Sequence, residues 1–124
     1  MEKICLDFDA ALDFLRGDPT TLEKLKYYVA REEICVTSIT LYNLIQIIRK
    51  PEVTTAFANR VSVLPFDRKA AQFAATVTKE MDEHGVLSKR TEEIVTAAIC
   101  MSNDAFVFAR TPSKYEGIKG LKKV

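Results

Sequence analysis

Residues 3–18 read KICLDFDAALDFLRGD, and the fold turns on how the first half of that stretch is read. Lys3 to Asp7 is a short apolar run followed by a different rhythm, which predicts a strand over 3–7. DAALDFLRGD then has helical spacing and is closed by Gly17, a usual residue just past a helix end. The pattern leaves open why the apolar run finishes in Asp7 and Asp9, with Asp13 a turn further on. A strand that only needed burial would not end in paired charges. Two explanations stand: Asp9 caps the helix, or the carboxylates gather a metal at the edge of a sheet. In a flat strand residues two apart share a face, so a bend after residue 7 decides whether these two stay together.

Working outward, strand-length apolar runs alternate with helical patterns. DPTTLEKLKYYVAREE predicts a second helix, with Thr20 and Glu23 at capping-box spacing and Leu22, Leu25 and Val29 on one face. EICVTS predicts a second strand, and Ser38 is placed to cap the helix ITLYNLIQIIRK, which Pro51 ends. EVTTAFANR predicts a short helix and RVSVLPF a third strand. Asp67 then caps DRKAAQFAATVTKEMDEHG, where Ala70, Ala74, Val77 and Met81 recur at helical spacing. Ser88 opens SKRTEEIVTAAICMSN, apolar nearly all round from Ile94 to Met101, as a helix buried against a sheet must be. DAFVFART predicts a fourth strand, PSKYEGIKG a helical turn and loop, and GLKKV a fifth, edge strand. Strands alternating with helices require crossover connections. The expected architecture is α/β: a central, mostly parallel sheet of four to five strands with helices on both faces. Ligands of such sheets collect beyond the carboxyl ends of the strands, where LDFD, VTS and ART lie.

The chain has 124 residues, is 48% hydrophobic and carries a formal net charge of +1. That size predicts one domain over 1–124, and the balance excludes both disorder and a strongly basic nucleic-acid binder, though a local patch would still serve RNA. Cys5, Cys35 and Cys100 form no CxxC pair and sit in apolar runs, so they read as small buried hydrophobes. His84, just before a glycine, reads as a helix-end residue. With no secretory leader and no apolar run of membrane length, the expectation is a soluble, intracellular protein with no membrane partner.

Five segments, in order, resemble the PIN-domain family, in particular the VapC-type toxins. CLDFDAALDFLRGD is similar to the family's opening strand, turn and helix. VTSITLYNL is similar to its second strand and helix, and VLPFDRKAAQFAA to its third-strand segment. TEEIVTAAICMSNDAFVFART resembles the stretch that ends in Thr-Arg-Asn, and YEGIKGLKKV resembles the closing segment. The resemblance implies a PIN-like α/β fold and descent from metal-dependent endonucleases of single-stranded RNA. In these, carboxylates at the strand ends gather Mg²⁺ or Mn²⁺, which lowers the pKa of a bound water and offsets phosphate charge.

Carried over residue by residue, the resemblance makes Asp7 the first-strand aspartate. Asp9 stands where the family has Asn, and Asn43 where it has Glu. Glu93 stands on the aspartate position before IVTAA, Thr111 where Asn or Asp follows Thr-Arg, and Lys114 near a final aspartate. The implied catalytic set is Asp7, Glu93, Asn43 and Asp9, with Asp7, Glu93 and Asp9 as a weakened metal set for Mg²⁺ or Mn²⁺. A lysine ammonium at that set would oppose a cation, whereas Asn43 can still offer an uncharged oxygen. Asp7, at the end of a buried strand, needs a partner, either Mg²⁺ or Lys114 itself. Glu92 and Glu93 would favour the helix dipole in any case, and Thr111 before Pro112 makes a good helix start. Lys89, Arg90, Arg110 and Lys114 lie where RNA would pass, as phosphate contacts of no sequence preference.

Three functions follow: a ribonuclease neutralised by an antitoxin-like partner, an RNA- or protein-binding PIN-like module that has lost cleavage, and a structural subunit. The expectation favours a ribonuclease-derived domain with weakened or lost cleavage. The resemblance also implies a cytoplasmic homodimer, with apolar surface on residues 41–58 as its interface.

Overall fold

In the computed structural model, residues 1–81 and 90–124 are described. The first strand, β1, is Lys3–Leu6, and α1 begins two residues later as Phe8–Leu15. There follow α2 Pro19–Val29, β2 Glu33–Thr37, α3 Ser38–Ile47, α4 Pro51–Ala58, β3 Ser62–Leu64 and α5 Arg68–Met81. The chain ends with α6 Thr91–Ser102, β4 Ala105–Phe108, a 3-10 turn Pro112–Tyr115 and β5 Lys122–Lys123. The five strands form one sheet in the order β3-β2-β1-β4-β5, and every neighbouring pair is parallel. The expected fifth edge strand is present, as β5 pairs with Phe106 and Val107.

The period-two alternation of strand side chains sorts the core into two layers. Ile4, Leu6, Val36 and Phe108 point to one face, where Ala10, Ala11, Leu12, Leu25, Leu44 and Phe57 of α1–α4 cover them. Cys5, Cys35, Ala105 and Val107 point to the other, against Ala70 and Val77 of α5 and Ile94, Ala97, Ile99 and Cys100 of α6. All three cysteines are buried, as read from the sequence, and none is disulfide-bonded. The apolar centre of α6 is sealed, with Ile99 and Cys100 fully buried. Of the predicted α2 face only Leu25 is buried; Leu22 and Val29 are exposed.

Three predicted caps fall on the wrong residue, each for a local reason. Asp7, not Asp9, caps α1, its carboxylate accepting from the Ala10 N–H. Asp18, not Thr20, caps α2, because Pro19 has no N–H to lose and its fixed φ suits the first helical position. Thr37 caps α3 through the Thr40 N–H, and the Ser38 hydroxyl instead accepts from the Phe66 N–H. Asp67 caps α5 as expected, accepting from Ala70. Pro51 opens α4 rather than merely ending α3. His84, Ser88 and Lys89 lie outside the described residues.

Truncating Ile99 to alanine should cost about 2–5 kcal/mol, the range for emptying a sealed core position. Glu23→Ser, on the exposed side of α2, should stay within about 0.5 kcal/mol. Urea midpoints of the two variants check the contrast.

Candidate active site

Strand β1 stops at Leu6 because the chain turns at Asp7 directly into α1. The Asp7 N–H still donates to the carbonyl of Phe108 on β4 at 3.1 Å, so the turn is anchored at the carboxyl edge of the sheet. Its side chain is nearly buried. One carboxylate oxygen accepts from the Ala10 N–H at 2.9 Å, the other from the Tyr115 hydroxyl at 3.2 Å. The partner Asp7 needs is thus Tyr115, not Lys114. Burial, with the charge of Asp9 adding to it, raises the Asp7 pKa above the usual carboxylate value despite the Ala10 and Tyr115 hydrogen bonds. Burial and the adjacent Asp7 charge raise the Tyr115 pKa as well, which keeps its phenol a donor.

Asp9 lies in the first turn of α1, where a negative charge suits the helix dipole. Its Oδ2 accepts from the ammonium of Lys114 at 3.0 Å, and this hydrogen bond raises the lysine pKa. Asp7, Phe8, Asp9, Glu92, Glu93, Lys114 and Tyr115 together line a cavity of about 220 Å³ at the strand ends. Glu92 at the start of α6 is raised by burial and by the like charges of Glu93 and Asp9. Asn43 is not among these residues. It lines an adjoining cavity of about 350 Å³ with Ile39, Phe66 and Val95, and only Glu92 is common to both.

Arg90, Arg110 and Lys114 each donate to oxygens of this chain. Arg110 makes a two-pronged pair with Asp13, Nε to Oδ2 at 2.7 Å and a terminal nitrogen to Oδ1 at 2.6 Å. That pair lowers the Asp13 pKa. Arg90 donates to the carbonyls of Lys114 and Glu116 at 2.5 and 2.9 Å. Thr111 precedes the 3-10 turn without a side-chain capping bond. Glu92, Tyr115 and Asp13 were not singled out as site residues from the sequence. Only adjacency to Glu93 and Lys114, and one helical turn from Asp9, could have flagged them.

The residues present do not fit Mg²⁺ or Mn²⁺ as they stand. Both Asp7 oxygens are engaged, and Asp9 already holds an ammonium. Among the described residues, no three Asp, Glu, His or Cys side chains converge closely enough to hold an ion.

Among the described residues, a five-stranded parallel sheet is flanked by six helices, with acidic residues at its carboxyl edge, and this fold matches that of a PIN-like domain. No family model and no curated protein matches the chain. Among solved structures, it superposes on a chain of DNA-bound VapBC from Salmonella typhimurium with a TM-score of 0.75 at 24% identity, covering 100% of this chain and 98% of that one. VapBC2 from Rickettsia felis, bound to a promoter DNA fragment, gives a TM-score of 0.77 at 14% identity, with 98% and 97% covered. VapBC-1 from nontypeable Haemophilus influenzae gives 0.75 at 15% identity, with 98% and 96% covered. Among the described residues no helix is long and apolar enough to cross a membrane.

The raised Asp7 pKa has a testable sign. Between 3.8 and the raised value the folded chain holds more protons than the unfolded one, so stability falls as pH rises through that window and stays lower above it. Asn at this position keeps the cap and a polar partner for Tyr115 but does not titrate. Asp7→Asn should therefore unfold at higher urea than the native chain at pH 7. The difference should close as pH falls below 3.8, where Asp7 is neutral in both states. Urea melts at stepped pH measure both.

Proposed function

We propose that residues 1–124 form a single PIN-like domain derived from metal-dependent, single-stranded-RNA endonucleases of the VapC type, with cleavage weakened or lost. The observation that carries this reading is the Lys114–Asp9 ion pair inside the acidic pocket. Asp7, Asp9 and Glu93 are the remnant of the metal set, and a cation of the protein's own stands among them. Asn43 contributes at most from the neighbouring cavity. A carboxylate already satisfied by an ammonium has less to offer Mg²⁺, which demands near-octahedral oxygen ligands and dehydrates reluctantly.

A non-catalytic binding module is the second reading, favoured by a separate observation. Arg90, Arg110 and Lys114 each spend their donors on this chain's own oxygens, which leaves them less free for phosphates. Meanwhile a largely apolar cavity of about 520 Å³, lined by Leu6, Phe14, Leu25, Val29, Val53 and Phe57, lies between α1, α2 and α4. The structural neighbours are toxin-antitoxin complexes, which supports an antitoxin-like protein as the partner. Tyr42, Ile45 and Ile47, exposed on α3, supply apolar surface for a homodimer, and the cytoplasm is the compartment such a module would work in. Lys89 belongs with the basic set by sequence.

Single-stranded RNA incubated with the full chain and Mg²⁺ or Mn²⁺, beside Asp7→Asn, tests the reading. The expected result is little cleavage and no difference between the two proteins. Metal-dependent cleavage that Asp7→Asn lowers by roughly 100-fold or more, as loss of a catalytic group does, would overturn it.

A further inference from the structure

We infer that Lys114 is a tethered cation that shuts the acidic pocket against divalent ions, and that Arg90 is the positioning residue that holds it there; the inference rests on the PIN-derived reading above. The 3-10 turn Pro112–Tyr115 is held by two fixings that together make three hydrogen bonds. Arg90, just ahead of α6, grips the carbonyls of Lys114 and Glu116, one on each side of Tyr115. The Tyr115 hydroxyl reaches the buried Asp7. Between these two fixings, the Lys114 side chain runs to Asp9 at the lip of the cavity that Asp7, Glu92 and Glu93 also line.

The lysine is 47% exposed, so burial does not confine it. The fixed turn does, together with the negative surroundings: Asp9 first, then Glu93 and Asp7, all favour the charged ammonium. Tethering gives that ammonium a high, undilutable local concentration, so a free ion competes at a disadvantage set by the linkage rather than by the strength of one pair. The pair itself is of a weak kind, as half-exposed ion pairs are. The consequence is that one side chain on one turn holds the Asp9 carboxylate, while the Asp7 oxygens stay engaged with Ala10 and Tyr115. Behind it, four carboxyl groups still line a single cavity, and removing the ammonium leaves an excess of negative charge that a hard cation relieves.

The test is titration of MnCl2 into the full chain by calorimetry, for native protein, Lys114→Gln, Lys114→Asp, Lys114→Arg, Arg90→Gln and Arg90→Lys. Cooperative urea unfolding confirms that each variant is folded. The native chain and Lys114→Arg should show no saturable binding below millimolar metal. Lys114→Gln should bind at least about tenfold more tightly than native, and Lys114→Asp more tightly still. Arg90→Gln should give an intermediate, several-fold gain that Arg90→Lys reverses. Folded Lys114→Gln and Lys114→Asp that bind Mn²⁺ no better than a silent native chain sink the lock while the weakened-cleavage reading survives. Native silence retained in Arg90→Gln sinks the positioning role. Saturable micromolar binding by the native chain overturns that parent reading, and the lock with it.

Discussion

Placing one carboxylate under cover at the end of the central strand is the constraint on which the rest of the site depends. Asp7 ends β1 and starts α1 at once, and a buried polar group must find partners or cost the fold several kcal/mol. It finds one locally in the Ala10 N–H and one 108 residues away in the Tyr115 hydroxyl. The local bond turns the chain from strand to helix. The distant one brings the turn after β4 back over the carboxyl edge of the sheet. With Tyr115 fixed there, the preceding residue, Lys114, stands beside the acidic pocket. The ion pair with Asp9 follows from the turn's position more than from its own strength.

Four carboxyl groups around a cavity of about 220 Å³ repel one another, and the protein relieves this in two ways. Asp7 and Glu92 hold their protons more readily than ordinary carboxylic acids do, both chiefly because of burial and in part because of acidic neighbours. Asp9 is relieved by Lys114. A divalent ion could serve the same need, since a hard cation satisfies several oxygens at once, but it must first give up part of its hydration. An ammonium satisfies fewer oxygens and keeps part of its hydration at a half-exposed site. With Lys114 present, the site's charge is eased without an ion.

Much of the fold was legible because it rests on periodicity. The alternation that sends Ile4 and Leu6 one way and Cys5 the other, and the nearly all-apolar centre of α6, are properties of the sequence that no tertiary detail can change. Caps were less legible, since Asp7, Asp9, Asp18, Thr20, Thr37 and Ser38 all have capping side chains. Choosing among adjacent candidates needs the exact residue at which the backbone turns. The site was legible in part. Asp7, Asp9, Glu93 and Lys114 do line one cavity, while Asn43 lies next door and the partner of Asp7 is a tyrosine. Those two facts depend on contacts between α3, α6 and the last turn, which are far apart in sequence and have no local signature.

The same pairing within the chain recurs at three points along the carboxyl edge of the sheet. From Asp13 with Arg110, through Asp9 with Lys114, to Arg90 on its two carbonyls, these three cations are matched to oxygens of this chain. Such pairs are individually weak where exposed, but phosphate binding draws on free positive charge, and its strength grows with the number of contacts made. An RNA strand that engaged these three residues would have to exchange a carboxylate or carbonyl for each phosphate it placed on them. The two-pronged Arg110–Asp13 pair is the most costly to exchange, because its planar geometry satisfies both partners at once. By contrast, the cavity between α1, α2 and α4 is largely apolar, with Glu52 and Arg60 as its charged lining. Energetically, then, the positive charge of these three residues is already engaged within the chain, whereas the cavity on the helical side keeps apolar surface open.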